Sequence, residues 1–223
     1  MILTQSGSKI KISQILYLLV FLLVYTSFKT QPVKDKLLAR IIAEQTDVSA
    51  QHLNSNVLAQ LSELELKDVE LQSLEGLRAC VNLKKLVLQN CHLSDISELK
   101  HLTSLEHLNI ALNPEIRNIE GVSALKNLKI FIASGIQIDD ISPLAPCEQL
   151  ERLYLNNTKQ ITNLRPLENL SQLSVLEFYD NQVADLQPIS QLTKLERLWM
   201  NQNQVTDITP LKNLKNLRLL NDE

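Results

Sequence analysis

From Leu61 onward, apolar residues recur in a pattern that neither one continuous helix nor one alternating strand produces. Leu61, Leu83, Leu105, Leu128, Leu150, Leu173, Leu195 and Leu217 open successive units spaced 22, 22, 23, 22, 23, 22 and 22 residues apart. With each of these leucines counted as place 1, apolar residues return at places 4, 6, 11, 14, 17 and 20. The unit from Leu173 reads LSVLEFYDNQVADLQPISQLTK, and the one from Leu195 reads LERLWMNQNQVTDITPLKNLKN. The longer units take their extra residue in the loop after place 9, near Asn113-Pro114-Glu115 and Thr158-Lys159-Gln160. Seven complete units and the start of an eighth follow the pattern, the signature of a repeat architecture.

The spacing predicts the elements of each unit. Places 3 to 7 alternate outward and inward, the period of a short strand. Places 4 and 6, such as Leu64 and Leu66 or Leu198 and Met200, point inward. One unit cannot bury its apolar face, but stacked units form a continuous core. Place 9 holds Asn113, Asn181 and Asn203, with Cys91 as a substitute. A buried Asn there can bond the backbone of a turning chain that has no other partner. Places 13 to 17 read DISPL, DLQPI and DITPL in three units, and Asp followed by Pro predicts short 3₁₀ turns on the far side. Upstream, PVKDKLLARIIAEQ (residues 32–45) places Val33, Leu37, Leu38, Ile41 and Ile42 on one helical stripe, a helix covering the first coil.

The L-x-x-L-x-L-x-x-N/C unit with its I-x-P-L tail resembles the bacterial internalin-type leucine-rich repeat, a subclass that includes regulatory subunits of type-1 protein phosphatase. The likeness spans residues 46 to 223, about four-fifths of the chain, and reaches the lead-in DVSAQHL (residues 47–53). It implies an α/β fold of leucine-rich-repeat solenoid type. Such a fold is a right-handed horseshoe with parallel strands on the concave face, 3₁₀ turns on the convex face, an N-terminal helical cap, and a protein ligand on the concave side. Place 9 departs from the pattern at Val69, Ile136 and Thr158, which breaks the Asn ladder.

The first thirty residues differ from the rest. Ile15 to Tyr25 reads ILYLLVFLLVY, inside a stretch (residues 12–28) bounded by Lys11 and Lys29. That length lies between a signal-peptide core and a short membrane span. Val24-Tyr25-Thr26 is a poor cleavage site, so an uncleaved signal-anchor fits better than a removed signal peptide. The organisation is thus a signal or anchor over residues 1–30, a helical cap over 31–60 and repeats over 61–223. Exported repeats would face the cell envelope or exterior. A cytoplasmic regulatory scaffold, like the phosphatase branch, is the competing expectation.

Charge and composition narrow the function. Residues 1–30 carry three lysines and no acid, while the remainder sets 19 basic against 25 acidic side chains, a net −6. An acidic body without Lys/Arg clusters does not suit nucleic acid. Four glycines and 45 leucines do not suit a nucleotide-binding enzyme. Cys80 and Cys147 fall on the inward place 20, and Cys91 in the Asn ladder, so all three read as inert core thiols. His52, His92, His101 and His107 show no ligand spacing. The expectation is a non-enzyme with no cofactor and no metal.

The ligand columns are the outward strand places. In units five to seven they gather Arg152, Tyr154, Glu177, Tyr179, Arg197 and Trp199, with Ile130 and Ile132 extending the patch. Tyr, Trp and Arg dominate interface energetics. The bland alternative is that these rings only pack on neighbouring strands. The predicted partner is a protein, with membrane contact through residues 12–28 if they stay attached. The C-terminal edge, with only Asn221-Asp222-Glu223 as cover, is a further expected site of self-association.

Overall fold

The computed structural model describes residues 33–220, with the side chains of Leu219 and Leu220 outside that description. The expected signal or anchor over residues 1–30 and the hydrophilic cover at residues 221–223 lie outside the described residues. Helix α1 (Lys36–Thr46) opens the unit. Its Asp35 cap accepts from the backbone N–H of Leu37 (2.8 Å) and Leu38 (2.9 Å). Asp35 also accepts from Gln72 N at 2.6 Å, which ties the helix start to the first repeat. The apolar stripe turns inward: Val33, Leu38 and Ile42 are fully buried. The helix begins three residues after Val33, the first residue of the stripe, because Asp35 satisfies the first-turn amides there. A short helix α2 (Ser55–Leu58) follows, capped by Asn54.

The repeats build one parallel sheet in sequence order. Its strands are β1 (Glu63–Lys67), β2 (Lys85–Gln89), β3 (His107–Asn109), β4 (Ile130–Ile132), β5 (Arg152–Tyr154), β6 (Val175–Glu177), β7 (Arg197–Trp199) and β8 (Arg218–Leu220). Strand follows strand without crossover, and among the described residues β1 and β8 are the edge strands. Only β1 and β2 fill places 3 to 7; β3 to β7 stop at place 5. Backbone pairing nonetheless continues past them, as in Ile110 N to Ile132 O (2.8 Å) and Leu155 N to Glu177 O (2.7 Å). Register matches place for place from β1 to β7. At β8 it slips: Arg218 pairs with Arg197, one residue earlier than the leucine spacing predicts. Among the described residues no further strand lies beyond β8 to hold that register from its other side.

A 3₁₀ turn closes the far side of every complete unit. Pro143, Pro166, Pro188 and Pro210 sit in the first turns. The side chain at the residue two before the turn caps it: Asp140 accepts from Ser142 N, Asp185 from Gln187 N and Asp207 from Thr209 N, each at 2.8 Å. Strands stack about 4.8 Å apart, closer than helical turns can approach. The sheet therefore takes the inner, concave side of the solenoid.

Place 9 performs as the pattern predicts. Asn113, fully buried, accepts from Cys91 N (2.9 Å) and Leu93 N (3.1 Å) of the preceding unit. It donates to Leu88 O (2.7 Å), Ile110 O (2.8 Å) and Ala111 O (3.1 Å). Asn181 and Asn203 repeat the arrangement, and Thr158 joins the ladder by donating to Asn181 Oδ1. Immediately before it, place 8 is left-handed in every complete unit: Asp68, Asn90, Leu112, Gly135, Asn157, Asp180 and Gln202 have φ between 52° and 75°. Asn, Asp and Gly tolerate that backbone; Leu112 does not.

Two substitutions are expected to move stability in opposite directions in one urea titration. Asn113→Ala orphans two buried amides and their partner carbonyls and is expected to cost about 3–5 kcal/mol. Leu112→Asn, at φ 59° and half exposed, is expected to gain about 1 kcal/mol. A neutral Asn113→Ala would remove the inter-unit ladder from the account of stability.

Candidate protein-binding face

The sheet register assembles the expected patch. Ile130 lies opposite Arg152, and Ile132 opposite Tyr154. Tyr154 lies opposite Glu177, which in turn lies opposite Trp199, so a carboxylate runs between two aromatic positions. Tyr179, just past β6, stacks on Trp199 with ring centroids 4.6 Å apart and planes tilted by 33°. Arg152 and Arg197 are exposed, while Ile130, Ile132, Tyr154, Glu177, Tyr179 and Trp199 are half-buried. The cross-strand packing and the exposure coexist: the rings touch each other and still present an edge to solvent.

Parity alone overstates what is open. Val175 points outward between Arg152 and Arg197 yet is buried, as are Val87 and Ala111 at equivalent columns. Long neighbours cover short side chains on a flat strand surface. Two positioning residues lie outside the expected patch, Asn156 at outward place 7 and Asn157 at place 8. Asn156 donates to Glu177 Oε2 at 3.0 Å and accepts from Tyr179 N at 3.1 Å. Asn157, at the left-handed place 8, donates to the Tyr179 hydroxyl at 2.7 Å. The run of Asn, Asp and Gly at place 8 was the signal that would have found it. Trp199 Nε1 is buried without a hydrogen-bond partner among the described residues.

The N-terminal half of the face has a different electrostatic character. Lys85 reaches Glu65 at 2.5 Å and Glu63 at 3.6 Å, and Lys67 reaches Glu65 at 3.4 Å. The Lys85 ammonium, then Lys67, holds the Glu65 carboxyl below its usual range, and Glu65 holds Lys85 above its own. Beside the sheet, Glu106 bridges Lys129 (2.7 Å) and Lys84 (3.4 Å), which lowers its pKa in the same way. His107 is pushed down by burial first and by Lys85 second, so it stays neutral near pH 7. These charges are already answered within the chain.

Other chemistry finds little footing. No group of three or more His, Cys, Asp or Glu among the described residues is arranged to hold a metal ion. A cavity of about 110 Å³ near Leu71, Ser73, His92 and Glu98 lies off the strand face, well below the ~300 Å³ at which small-molecule pockets begin. Cys80, Cys91 and Cys147 are free and fully buried.

The model of the family "Leucine Rich repeats (2 copies)" matches residues 81–126, 126–169 and 171–213, more than half of the chain. The chain belongs to the leucine-rich-repeat family. Its repeats are internalin-like. An internalin (InlF) from Listeria monocytogenes is 31% identical with a TM-score of 0.81, over 85% of this chain and 56% of its own. This chain thus spans little more than half the length of that internalin. Internalin C2 (InlC2) of the same organism is 28% identical, TM-score 0.74, over 84% of this chain and 94% of its own. The functional domain of InlJ, also from Listeria monocytogenes and including a cysteine ladder, shares the fold at 21% identity and a TM-score of 0.65, over 86% of this chain and 46% of its own. No curated protein matches the sequence. A leucine-rich-repeat solenoid of this kind is a protein-interaction module.

Burial pushes the Cys80 thiol up to about 12 and the Cys91 and Cys147 thiols to about 11. The folded state thus favours the neutral thiol, and the stability this confers is complete below pH 9 and lost as pH rises towards 12. A disulfide-exchange reagent at pH 8 is expected to find no reactive thiol in native protein and all three after unfolding. A rapidly reacting native thiol would contradict the buried placement of these side chains.

Proposed function

We propose that this chain recognises a protein ligand through the concave face of units four to seven, using Arg152, Tyr154, Glu177, Tyr179, Arg197 and Trp199, with Ile130 and Ile132 at the border. The reading rests on one observation: the stacked Tyr179–Trp199 pair sits beside Tyr154 on an otherwise sparsely aromatic face, held there by Asn156 and Asn157. Rigid aromatic side chains lose little entropy on contact and supply large contact area. Under the same proposal residues 1–30 are a signal or anchor, and the repeats work in the envelope or outside the cell. No helix among the described residues is long and apolar enough to cross a membrane, and residues 12–28 lie outside them.

A second reading, self-association, is favoured at the C-terminal end. Ile208 is 55% exposed, whereas Leu186 and Leu164 at the same place are 1% exposed, because no described coil stacks on the seventh. Under that reading light scattering shows a mass that rises with protein concentration and an Ile208→Asp variant that stays monomeric. A constant mass across concentrations removes it.

The principal test is capture by the full chain from envelope and cytosolic extracts, beside Tyr154→Ala/Tyr179→Ala/Trp199→Ala. The native chain is expected to retain a partner from the envelope fraction that the folded variant binds at least about thirty-fold more weakly, as loss of even one hot-spot side chain implies. Equal binding by both would rule out the aromatic patch. Retention from the cytosolic fraction alone would favour a regulatory scaffold.

A further inference from the structure

The ion pairs of this solenoid are not spread along it. Among the described residues every one falls between Lys34 and Lys129, and none involves the later units. The later units still carry arginines on the ligand face. Register puts Arg152, Arg197 and Arg218 in one column, with buried Val175 between the first two. All three are exposed, and no carboxylate of the described chain pairs with any of them. Their sequence neighbours Glu151 and Glu196 make no such contact, and Glu177 is held by Asn156 instead.

This arrangement carries a cost. Arg197 and Arg218 lie directly opposite on adjacent strands, where like charges destabilise a sheet. Residues 31–223 carry a net −6, so carboxylates are abundant elsewhere, yet none among the described residues answers this column. Guanidinium groups left free in a row present paired N–H donors in the geometry that carboxylates accept.

We infer that the ligand of this face is an acidic segment of a protein partner, whose Asp or Glu carboxylates bridge Arg152, Arg197 and Arg218 while its apolar side chains lie on Tyr154, Tyr179 and Trp199. The inference rests on the concave-face reading and adds the chemistry of the occupant. The segment runs across the strands, along the arginine column. The aromatic rings and the border of Ile130 and Ile132 favour a peptide with apolar side chains over a sulfated polysaccharide, which has none to place there.

The test uses fluorescent peptides of one apolar and aromatic composition that differ only in carrying Glu, Gln or Lys at the same positions. Each is titrated against the full chain, against Arg152→Glu/Arg197→Glu/Arg218→Glu, against the milder Arg152→Gln/Arg197→Gln/Arg218→Gln, and against the triple aromatic variant. The Glu peptide is expected to bind the native chain at least about ten-fold tighter than the Gln peptide, with a preference that weakens as salt rises. Neutralising the column abolishes the preference, and reversing it favours the Lys peptide. Equal affinity of Glu and Gln peptides, a preference that survives both arginine variants, or no binding by any peptide overturns the proposal. So does a sulfated oligosaccharide that displaces the Glu peptide at lower concentration than the peptide itself. A Gln peptide bound as tightly as the Glu peptide, and lost only from the aromatic variant, overturns the acidic occupant while leaving the concave-face reading standing.

Discussion

At three of the corners where a strand leaves the sheet, backbone amides lose their neighbours, and an Asn of the following unit supplies them. Asn113 is the clearest case, closing five backbone groups from two consecutive units with one buried amide. Without its successor, the earlier coil would leave Cys91 N, Leu93 N and Leu88 O unpaired in an apolar interior, at roughly 1–3 kcal/mol each. This dependence makes the fold one-dimensional: wherever the next unit carries Asn at place 9 it completes the unit before it, and elsewhere the sheet register and the core supply the link. The loosened end shows the converse. Ile208 and Val205 lose burial in the seventh unit, where no described coil completes them.

Most of this architecture was legible in the sequence, because a repeat writes the same physics many times. The inward leucines, the Asn ladder, the Asp-Pro turns and the amphipathic entry helix each follow from a period or a residue type with one structural use. Two features were less legible. The left-handed corner at place 8 is spelled Asp, Asn, Leu, Gly, Asn, Asp and Gln, which reads as ordinary polar loop until the dihedral angles align it. The slip at β8 escapes any pattern, since a leucine at either register satisfies the spacing and only pairing with β7 chooses between them.

The candidate face was legible in outline for a related reason. Parity assigns outward places correctly, but it says nothing about who covers whom. Val175 falls on an outward place and is buried, whereas Asn156 and Asn157 lie outside the expected patch and hold Glu177 and Tyr179 in place. The partition of charge was also hidden. A list of Glu, Lys and Arg along the columns does not reveal that Lys85 satisfies two glutamates while Arg152 satisfies none.

That partition follows from what the repeat leaves free. Places 1, 4, 6, 11, 14, 17 and 20 are held apolar by the core, place 9 by the corner amides and place 8 by its left-handed backbone. The outward places 3, 5 and 7 answer to none of these demands and can vary from unit to unit without disturbing the stack. An internalin-like solenoid therefore separates what folds it from what it meets. In the first two units the free places are used to neutralise one another. From the fifth onward they are used otherwise, with stacked rings fixed by asparagines and arginines that no carboxylate among the described residues answers. Folding alone does not require that second usage, and the like-charged pair of Arg197 and Arg218 works against it. The acidic segment inferred above would supply the complement that the described chain does not.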